Sequence, residues 1–329
     1  KGGDPVTQYP AETVAELGLL KMDFLGLRFL SVLDDAEKDV RRADPAFSLA
    51  AVDDGDEATY AMLSAGDSVG LFQLESDGMR ALLTKLRPYC LEDIMSAISL
   101  YRPGPMQSIS RFLKNRADPA SIRYADERLA DILGSTGGCI IYQEQVMMIF
   151  RVLAGYSYGR ADVVRRMMSK KKVDEMEGEK AFFLAGAAEN GVRPETAESV
   201  FAEMSDFAKY AFNKSHAAAY AVVAFRTAYL KCHHRREYMC ALLNSVAGDN
   251  RRVDLYIDDL SRAGVRVLPP DVKESGEGFT VVGDNLRFGL AAVKNVGGAF
   301  AAFIVQEGLA NGPYTGFGDF LLRTQGGGN

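Results

Sequence analysis

Apolar positions along most of the chain recur every three or four residues, which is the period of an amphipathic helix. This pattern predicts a mainly α protein of the α+β class. The predicted helices cover residues 12–19, 29–42, 77–86, 91–100, 125–133, 142–153, 159–172, 174–188, 194–208 and 214–233. Outside these helices, residues 43–68 and 106–136 are mostly polar or acidic and are predicted as loop. Pro-Gly-Pro at 103–105 ends one helix and holds Arg102 on a rigid turn.

One apolar run near the start of the chain, residues 19–27, has the length of a strand and carries two charges, Lys21 and Asp23. Side chains two residues apart on a strand share a face, so the two charges are predicted to lie side by side. One interpretation is a metal ligand at a strand end with the lysine beside it for phosphate. The other is a surface Lys/Asp pair on a half-exposed strand, and the pattern leaves both open.

The last third of the chain has a mixed pattern. Residues 256–268 predict a helix, a turn and a strand, and residues 279–290 predict a hairpin around Gly283 and Asp284. Residues 291–298 open two short helices in a pattern like the first half of a helix-hairpin-helix, whose turn offers backbone N–H groups to a DNA phosphate. Lys294 and Gly297 are therefore candidate DNA contacts.

Residues 159–172 concentrate positive charge on one helical segment. Its apolar stripe, predicted to face inward, consists of Val163, Val164, Met167 and Met168. Arg166 and Lys170 share a face, and Arg165 with Ser169 forms the adjoining row, so the cations are predicted to point together into a cleft. Such an array matches the oxygens of a triphosphate or a nucleic-acid backbone. A solvated basic face is the alternative, because a helix dipole favours cations at its C-terminal end.

A second candidate site lies where an alanine-rich helix begins. Asn213 and Ser215 are natural N-cap residues, which puts His216 in the first helical turn. A helix N-terminus offers N–H groups to an anion, and Lys209, Lys214 and aromatic rings are close in sequence, so a pocket for a base or sugar is predicted. A capping region on a packed helix explains the same residues.

Composition narrows the class of protein. The 329 residues carry 38 Lys and Arg against 44 Asp and Glu, a net charge of −6, so any nucleic-acid site must be a local basic surface. Four scattered cysteines suit a reducing compartment. The longest apolar run, 217–225, is too short for a membrane span. The chain starts at Lys1 without Met and stops at Asn329, so we expect both ends to be cut from a longer protein.

Six segments, in order, resemble the alpha subunit of bacterial DNA polymerase III, the C-family replicative polymerases. The segments are residues 21–27 (KMDFLGL), 70–76 (GLFQLES), 101–105 (YRPGP), 141–146 (IYQEQV), 165–172 (RRMMSKKK) and 212–220 (FNKSHAAAY). The resemblance runs along essentially the whole chain. It implies domains at 1–45, the C-terminal part of the palm, 46–245, the fingers, and 246–329, the start of a DNA- and clamp-binding domain.

The resemblance also implies residue roles. Asp23 is similar to the last of three palm aspartates that hold two Mg²⁺ ions, and Lys21 to a residue that reaches the incoming triphosphate. Arg165 and Arg166 are similar to the fingers arginines that clamp this triphosphate. His216 is similar to a residue near the nucleotide sugar that helps to exclude ribonucleotides.

The resemblance further implies that Ser215, next to His216, contacts the nucleotide. It also implies that Lys170 and Lys171 contact DNA. The implied partners are primer-template DNA, deoxynucleoside triphosphates, the sliding clamp and other replicase subunits. No membrane is implied, and the expected location is the bacterial cytoplasm at the nucleoid.

Two departures from the family pattern change these expectations. The other two palm aspartates precede Lys1 in the family, so the chain alone is expected to be inactive. Asn295 stands where the first glycine of the hairpin turn is usual, and Asn tolerates the left-handed backbone conformation that such a turn needs.

Two other classes of protein compete with a polymerase. A non-catalytic nucleic-acid-binding helical module would use the same cations on backbone phosphate, and a purely structural helical fragment would have neither activity. His216 discriminates, because only the polymerase interpretation predicts that its replacement alters selection at the sugar.

Overall fold

The computed structural model describes residues 3, 5–22, 26–169, 173–208 and 210–327. The α-helices of this part are α1 Ala11–Glu16, α2 Arg28–Arg41, α3 Glu57–Ser64, α4 Asp77–Leu86, α5 Leu91–Leu100, α6 Ile109–Ala117, α7 Ala130–Leu133, α8 Gln143–Ala154, α9 Tyr158–Ser169, α10 Val173–Glu189, α11 Pro194–Ala208, α12 Lys214–His233, α13 Arg235–Ser245, α14 Asn250–Arg262, α15 Gly298–Asn311 and α16 Phe317–Thr324. The strands are β1 Val267–Leu268, β2 Thr280–Val282 and β3 Asn285–Arg287. The mainly α prediction is confirmed.

Several predicted helices agree with the observed ones because their start signals are used as expected. α4 and α5 have the predicted bounds. The Ser76 side chain accepts a hydrogen bond from the Met79 N–H at the start of α4. At the start of α12, Asn213 Oδ1 accepts from the His216 N–H at 2.8 Å, as its capping role predicts.

The predicted strand over residues 19–27 is wrong for its described part. Residues 19–22 and 26–27 have no strand pairing, and Leu19, Leu20 and Met22 are exposed. A strand needs a neighbour for its backbone hydrogen bonds, and the strands of the described residues all lie between 267 and 287. An apolar run alone therefore did not specify a strand.

Two helices occupy segments that were predicted as loop. α3 begins in the acidic run because the Asp56 side chain accepts from the Thr59 N–H at 2.8 Å, and Tyr60 and Leu63 are then buried. α6 packs through Phe112, which is buried. Acidic residues that were interpreted as loop composition instead provide a helix cap, and one or two buried apolar side chains anchor each helix.

The long helix α12 lies at the centre of the first hydrophobic core. Its small buried positions, Ala217, Ala221, Ala224 and Ala228, recur at helical spacing and let α5 approach closely. α2, α3 and α13 also pack against it. α5 is buried along most of its length, because its apolar residues and serines all face neighbouring helices.

A second core is formed by α8, α9, α10 and α11. Aromatic rings fill it, with the centroid of Phe150 5.4 Å from Phe183 and 5.1 Å from Tyr156. A Cβ at Gly186 would stand 2.5 Å from the carbonyl oxygen of Ala154, so glycine is what allows α10 to lie this close to α8.

The C-terminal part combines a small sheet with two helices. The strand order is β1-β3-β2, with β1 parallel and β2 antiparallel to β3. Gly283, at φ +57°, makes the turn of the predicted hairpin. The predicted domain boundaries, at residues 45 and 245, stay a prediction. The first core crosses both, because it includes Val40 before the first boundary and Leu286 after the second.

Candidate nucleotide-binding site

The two arginines of α9 share one carboxylate. Arg165 donates from Nε and Nη2 to Asp162 Oδ1 at 3.1 and 2.7 Å, and Arg166 Nη2 lies 2.5 Å from Asp162 Oδ2. These hydrogen bonds, that of Arg165 first and then that of Arg166, hold the pKa of the Asp162 carboxyl below its usual range. The carboxylate therefore stays ionised and fixes both guanidinium groups.

The two guanidinium groups differ in exposure. The side chain of Arg165 is 15% exposed and that of Arg166 is 66% exposed. The two predicted rows of cations are therefore not equivalent, since Arg165 and Arg166 differ in exposure. Arg165 is held within the structure, while Arg166 has most of its surface available to a ligand.

The predicted apolar stripe of α9 is wrong at one position. Val164 and Met168 are buried as expected, but Val163 is 56% exposed. The buried stripe continues instead through Ala161, which is three residues before Val164 and on the same face. Because Val163 is adjacent in sequence to Val164, the helical period turns it away from α8.

Gln143, the first residue of α8, connects α9 to the segment before α12. Its Oε1 accepts from Arg165 Nη1 at 3.0 Å, and its Nε2 donates to the Ala211 carbonyl oxygen at 3.0 Å. Its backbone N–H donates to the Phe212 carbonyl oxygen at 2.9 Å. One side chain thus ties the position of Arg165 to the backbone that leads into His216.

Glu144 supports the same segment from the next position of α8. Its carboxylate accepts from the Lys214 N–H at 3.0 and 3.1 Å and from Asn213 Nδ2 at 3.2 Å. A carboxylate at the N-terminus of a helix is favoured by the dipole and satisfies otherwise unpaired N–H groups. Glu144 therefore fixes the start of α12 while Asn213 caps it.

His216 lies exposed between two aromatic rings. Its ring centroid is 4.1 Å from that of Tyr220, one turn further along α12, and 5.3 Å from that of Phe212. Ser215 is exposed beside it. Packing against two rings limits the rotamers of an otherwise exposed imidazole, so His216 presents a defined edge to solvent.

Several predicted site residues lie outside the described residues. They are Asp23, Lys170 and Lys171, and also Lys209 from the predicted pocket. Lys21 is described and exposed, two positions before Asp23. The predicted site residues that the structure describes are therefore Lys21, Arg165, Arg166, Ser215, His216, Lys294 and Gly297.

The hairpin turn near the C-terminus has the backbone conformation that its sequence predicts. Asn295 has φ +69°, in the left-handed region that a glycine would usually occupy. Lys294 beside it is exposed, and Gly297 is the exposed residue before the first turn of α15. The first of the two predicted short helices is a 3₁₀ turn, Leu290–Ala292, which precedes the turn at Asn295.

In the part of the chain that the structure describes, no group of three or more His, Cys, Asp or Glu side chains is arranged to hold a metal ion. The described residues thus do not form a ligand set of their own for Mg²⁺. None of the described helices is both long and apolar enough to cross a bilayer.

Sequence reasoning assigned no role to Gln143 and Glu144. The available signal was the run Tyr-Gln-Glu-Gln at 142–145, with amide and carboxylate groups in the first turn of a helix. Gln145 has a separate local role, since its Oε1 accepts from the Ile141 and Tyr142 N–H groups. The long-range partners of Gln143, 22 and 68 residues away, are not encoded in any local spacing.

Two parts of the chain match known family models. Residues 29–191 match the finger domain of the bacterial DNA polymerase III alpha subunit, and residues 264–327 match a helix-hairpin-helix motif. The first match contains α8 and α9, and the second contains the Asn295 turn.

Individual relatives match nearly the whole chain. The DNA polymerase III subunit alpha of Thermus aquaticus is 46% identical over 98% of the chain and 27% of the relative. Those of Borreliella burgdorferi and Bacillus subtilis are 41% and 40% identical over 98% and 97% of the chain, and over 28% of each relative. The chain thus spans about a quarter of the length of these relatives. It belongs to the family of bacterial DNA polymerase III alpha subunits, of which it carries the finger domain and a helix-hairpin-helix segment.

Proposed function

We propose that the chain supplies the incoming-nucleotide side of the cleft of a DNA-directed DNA polymerase of chromosomal replication. The intact subunit would transfer deoxynucleotides to a primer 3′-hydroxyl under the direction of a template. The observation that carries this proposal is the Gln143 bridge, because it couples Arg165 to the segment that holds His216. A site that must bind a triphosphate and read its sugar needs these two parts at a fixed separation.

Arg166 is the residue proposed to bind the triphosphate directly, and Arg165 to support it. A guanidinium group forms two parallel hydrogen bonds to phosphate oxygens and keeps its charge at any working pH. Asp162 pairs with Arg166 before the ligand arrives and would release it to a more highly charged triphosphate. Charge that develops on the phosphates during transfer would be stabilised by the same groups.

His216 is proposed to contact the nucleotide sugar, with Ser215 as its neighbour. Held by Phe212 and Tyr220, the imidazole would present the sugar with a surface that excludes an additional hydroxyl by shape. Exclusion of a 2′-hydroxyl by shape does not need any change in charge at the histidine. The role therefore depends on the packing of the ring.

Mg²⁺ is proposed as the cofactor of the intact subunit, with Asp23 as one ligand and two further carboxylates from outside this chain. Mg²⁺ prefers carboxylate and phosphate oxygens and would supply Lewis-acid stabilisation of the reacting phosphate. Lys21, two residues before Asp23, would contact the triphosphate. Without the other carboxylates the isolated chain is expected to be inactive.

DNA and protein partners form the remaining part of the proposal. Primer-template DNA would contact Lys170 and Lys171 after α9, and Lys294 and Gly297 at the hairpin turn. Backbone N–H groups at such a turn, with a lysine beside them, suit a DNA phosphate. The sliding clamp and other replicase subunits are proposed partners of the full-length protein at the bacterial nucleoid in the cytoplasm.

Primer extension by the full-length subunit with Mg²⁺ and deoxynucleotides tests the proposal. Asp23→Ala should abolish extension and Arg166→Ala should reduce it, while His216→Ala should increase ribonucleotide incorporation. A non-catalytic DNA-binding module predicts that His216→Ala has no effect on sugar selection. Normal extension by Asp23→Ala would show that this carboxylate is structural and would remove the metal assignment.

A further inference from the structure

A cleft of about 590 Å³ is lined by Phe212 and Tyr220, the two rings that flank His216, and the cleft has no assigned ligand. Arg28 from the start of α2, Arg102 from the turn after α5, and Arg252 from α14 line it together. Among the described residues that line it, Glu75 is the one acidic side chain. Three cations from separate elements around one carboxylate make a site for an anion larger than a single phosphate.

Arg102 is the most distinctive residue of this cleft. Its guanidinium group lies 4.4 Å from the centroid of the Phe212 ring. Within the described ranges, neither Arg102 nor Arg28 has a carboxylate partner at ion-pair distance, whereas Arg252 pairs with Asp249 at 3.4 Å. A guanidinium group that is stacked on an aromatic ring and not neutralised retains its hydrogen-bond donors for a ligand.

The turn that carries Arg102 is fixed on both sides. A Cβ at Gly78 in α4 would overlap the hydroxyl of Tyr101, so the tyrosine closes directly onto this helix. Gly104 has φ +100°, and a Cβ there would stand 2.6 Å from the ring of Tyr210. Arg102 is therefore held at a defined place, which lowers the entropy cost of using it to bind a ligand.

One lining residue of the cleft has a strained backbone. Gln73, which lines the cleft, has φ +61°, and non-glycine residues adopt this conformation at a cost. Strain of this kind persists only where the surrounding structure holds the backbone in place. The exposed side chain of Gln73 adds an amide, which can donate and accept hydrogen bonds, to the cations of the cleft.

We infer that this cleft binds the phosphodiester backbone of a DNA strand, with Arg102 and Arg28 on successive phosphates and the rings of Phe212 and Tyr220 beside the sugars or bases. The inference rests on the proposed polymerase function. A strand fits better than a free nucleotide, because the cations are spread over three elements and the triphosphate already has Arg165 and Arg166 on α9. Arg102 shares the Phe212 ring with His216, so the strand would pass beside the nucleotide site.

The test is the affinity of the full-length subunit for primer-template DNA without nucleotide, measured by fluorescence anisotropy at several salt concentrations. Arg102→Gln should raise Kd roughly tenfold at moderate salt and lower the slope of log K against log salt by about one unit, since one phosphate contact is lost. Arg123→Gln is the matched control, because it removes the same charge at an exposed position outside the cleft.

The outcomes separate this inference from the proposed function. If Arg102→Gln binds DNA with the wild-type Kd and salt slope while the wild-type subunit extends primers, the cleft assignment is wrong and the polymerase proposal stands. If Arg102→Gln raises only the KM for the nucleotide, the cleft holds a triphosphate and the strand assignment is again overturned. A wild-type subunit without primer extension would instead contradict the proposed function.

Discussion

Gln143 is the residue on which the geometry of the site depends most. Its amide uses both polar atoms at once, with the oxygen accepting from Arg165 and the nitrogen donating to Ala211. A side chain that is an acceptor at one end and a donor at the other cannot be replaced by a carboxylate or an aliphatic chain without loss. The two functions can therefore be separated by substitution.

Gln143→Leu should lower kcat/KM for deoxynucleotides by roughly tenfold and should also relax sugar discrimination, because both hydrogen bonds are lost. Gln143→Glu keeps the acceptor for Arg165 but replaces the donor to the Ala211 carbonyl oxygen with a carboxylate oxygen, which that carbonyl repels. We expect this variant to retain KM for the deoxynucleotide and to incorporate more ribonucleotide. Single-nucleotide insertion kinetics check both. Equal effects of the two variants on KM would show that Arg165 does not depend on Gln143.

Asp162 should give the stability of the protein a defined pH dependence. Its pKa is lowered in the folded state by Arg165 and Arg166, so the unfolded chain binds the proton more tightly. The stabilisation by Asp162 is therefore present well above the ordinary Asp pKa of about 3.9, and it is lost as the pH falls through the lower pKa of the folded state. Asp162→Asn should be less stable than wild type near pH 7.

Chemical denaturation at pH 7 and near pH 3 measures this difference for wild type and Asp162→Asn. The difference between the two proteins should be smaller at the lower pH, because the Asp162 carboxyl takes up a proton in the unfolded chain there, and the stabilisation is lost progressively as the pH falls further. A difference that persists unchanged at low pH would mean that the asparagine acts through packing and not through charge.

At the scale of elements, the turn between α5 and α6 has the most demanding backbone. Gly104→Ala should destabilise the protein by roughly 1–3 kcal/mol, because φ +100° is unfavourable for alanine and its Cβ would meet Tyr210. Gly178→Ala in the interior of α10 is a matched control with open space around it, and should stabilise by about 0.5–1 kcal/mol. Denaturant midpoints compare the two, and a tolerated Gly104→Ala would contradict a rigid Arg102 turn.

The elements show how far sequence alone leads. α4, α5 and α12 were predicted well because Ser76 and Asn213 are strong caps and the apolar period is regular. The strand prediction was wrong for residues 19–22 and 26–27, because a strand depends on a partner strand. The loop prediction was wrong at α3, because the acidic run supplies its own cap, Asp56. Local rules predicted helices, but not what packs against them.

The candidate site was also predicted only in part. The sequence identified Arg165, Arg166 and His216 as candidates, and the structure brings them into one connected arrangement through Gln143. It did not predict that Arg165 would be much less exposed than Arg166, because both belong to the same basic run. Exposure depends on where α9 packs against α8, which is a tertiary property.

Across the whole molecule, a buried charge cluster connects distant parts of the chain. Lys231 of α12 is completely buried, with Nζ 2.6 Å from Asp67 Oδ1 and 2.9 Å from both Asp259 Oδ2 of α14 and the Val69 carbonyl oxygen. Arg235 forms a second ion pair with Asp67 at 2.5 Å. Although burial acts to raise it, the hydrogen bonds from Arg235 and Lys231 lower the pKa of Asp67.

Lys231→Met should destabilise the protein by roughly 3–5 kcal/mol, since removing one partner of a buried ion pair leaves the other charge uncompensated. Lys38→Met removes a lysine that pairs with Asp34 on the exposed face of α2, and should leave the unfolding midpoint unchanged. Thermal unfolding of both variants decides. A small effect of Lys231→Met would show that α14 is held by its apolar contacts alone.

The measurement that tests the central claim most directly is the KM for the incoming deoxynucleotide, at saturating primer-template, for the full-length subunit and its Arg166→Ala variant. Arg193→Ala, an exposed arginine before α11, is the control. If α9 forms the triphosphate site, Arg166→Ala should raise KM roughly tenfold or more, as expected for loss of a charge-assisted bidentate contact, while DNA affinity changes little and the control behaves as wild type. An unchanged KM with weakened DNA binding would contradict a triphosphate site on α9 and would show that α9 binds the phosphate backbone of DNA.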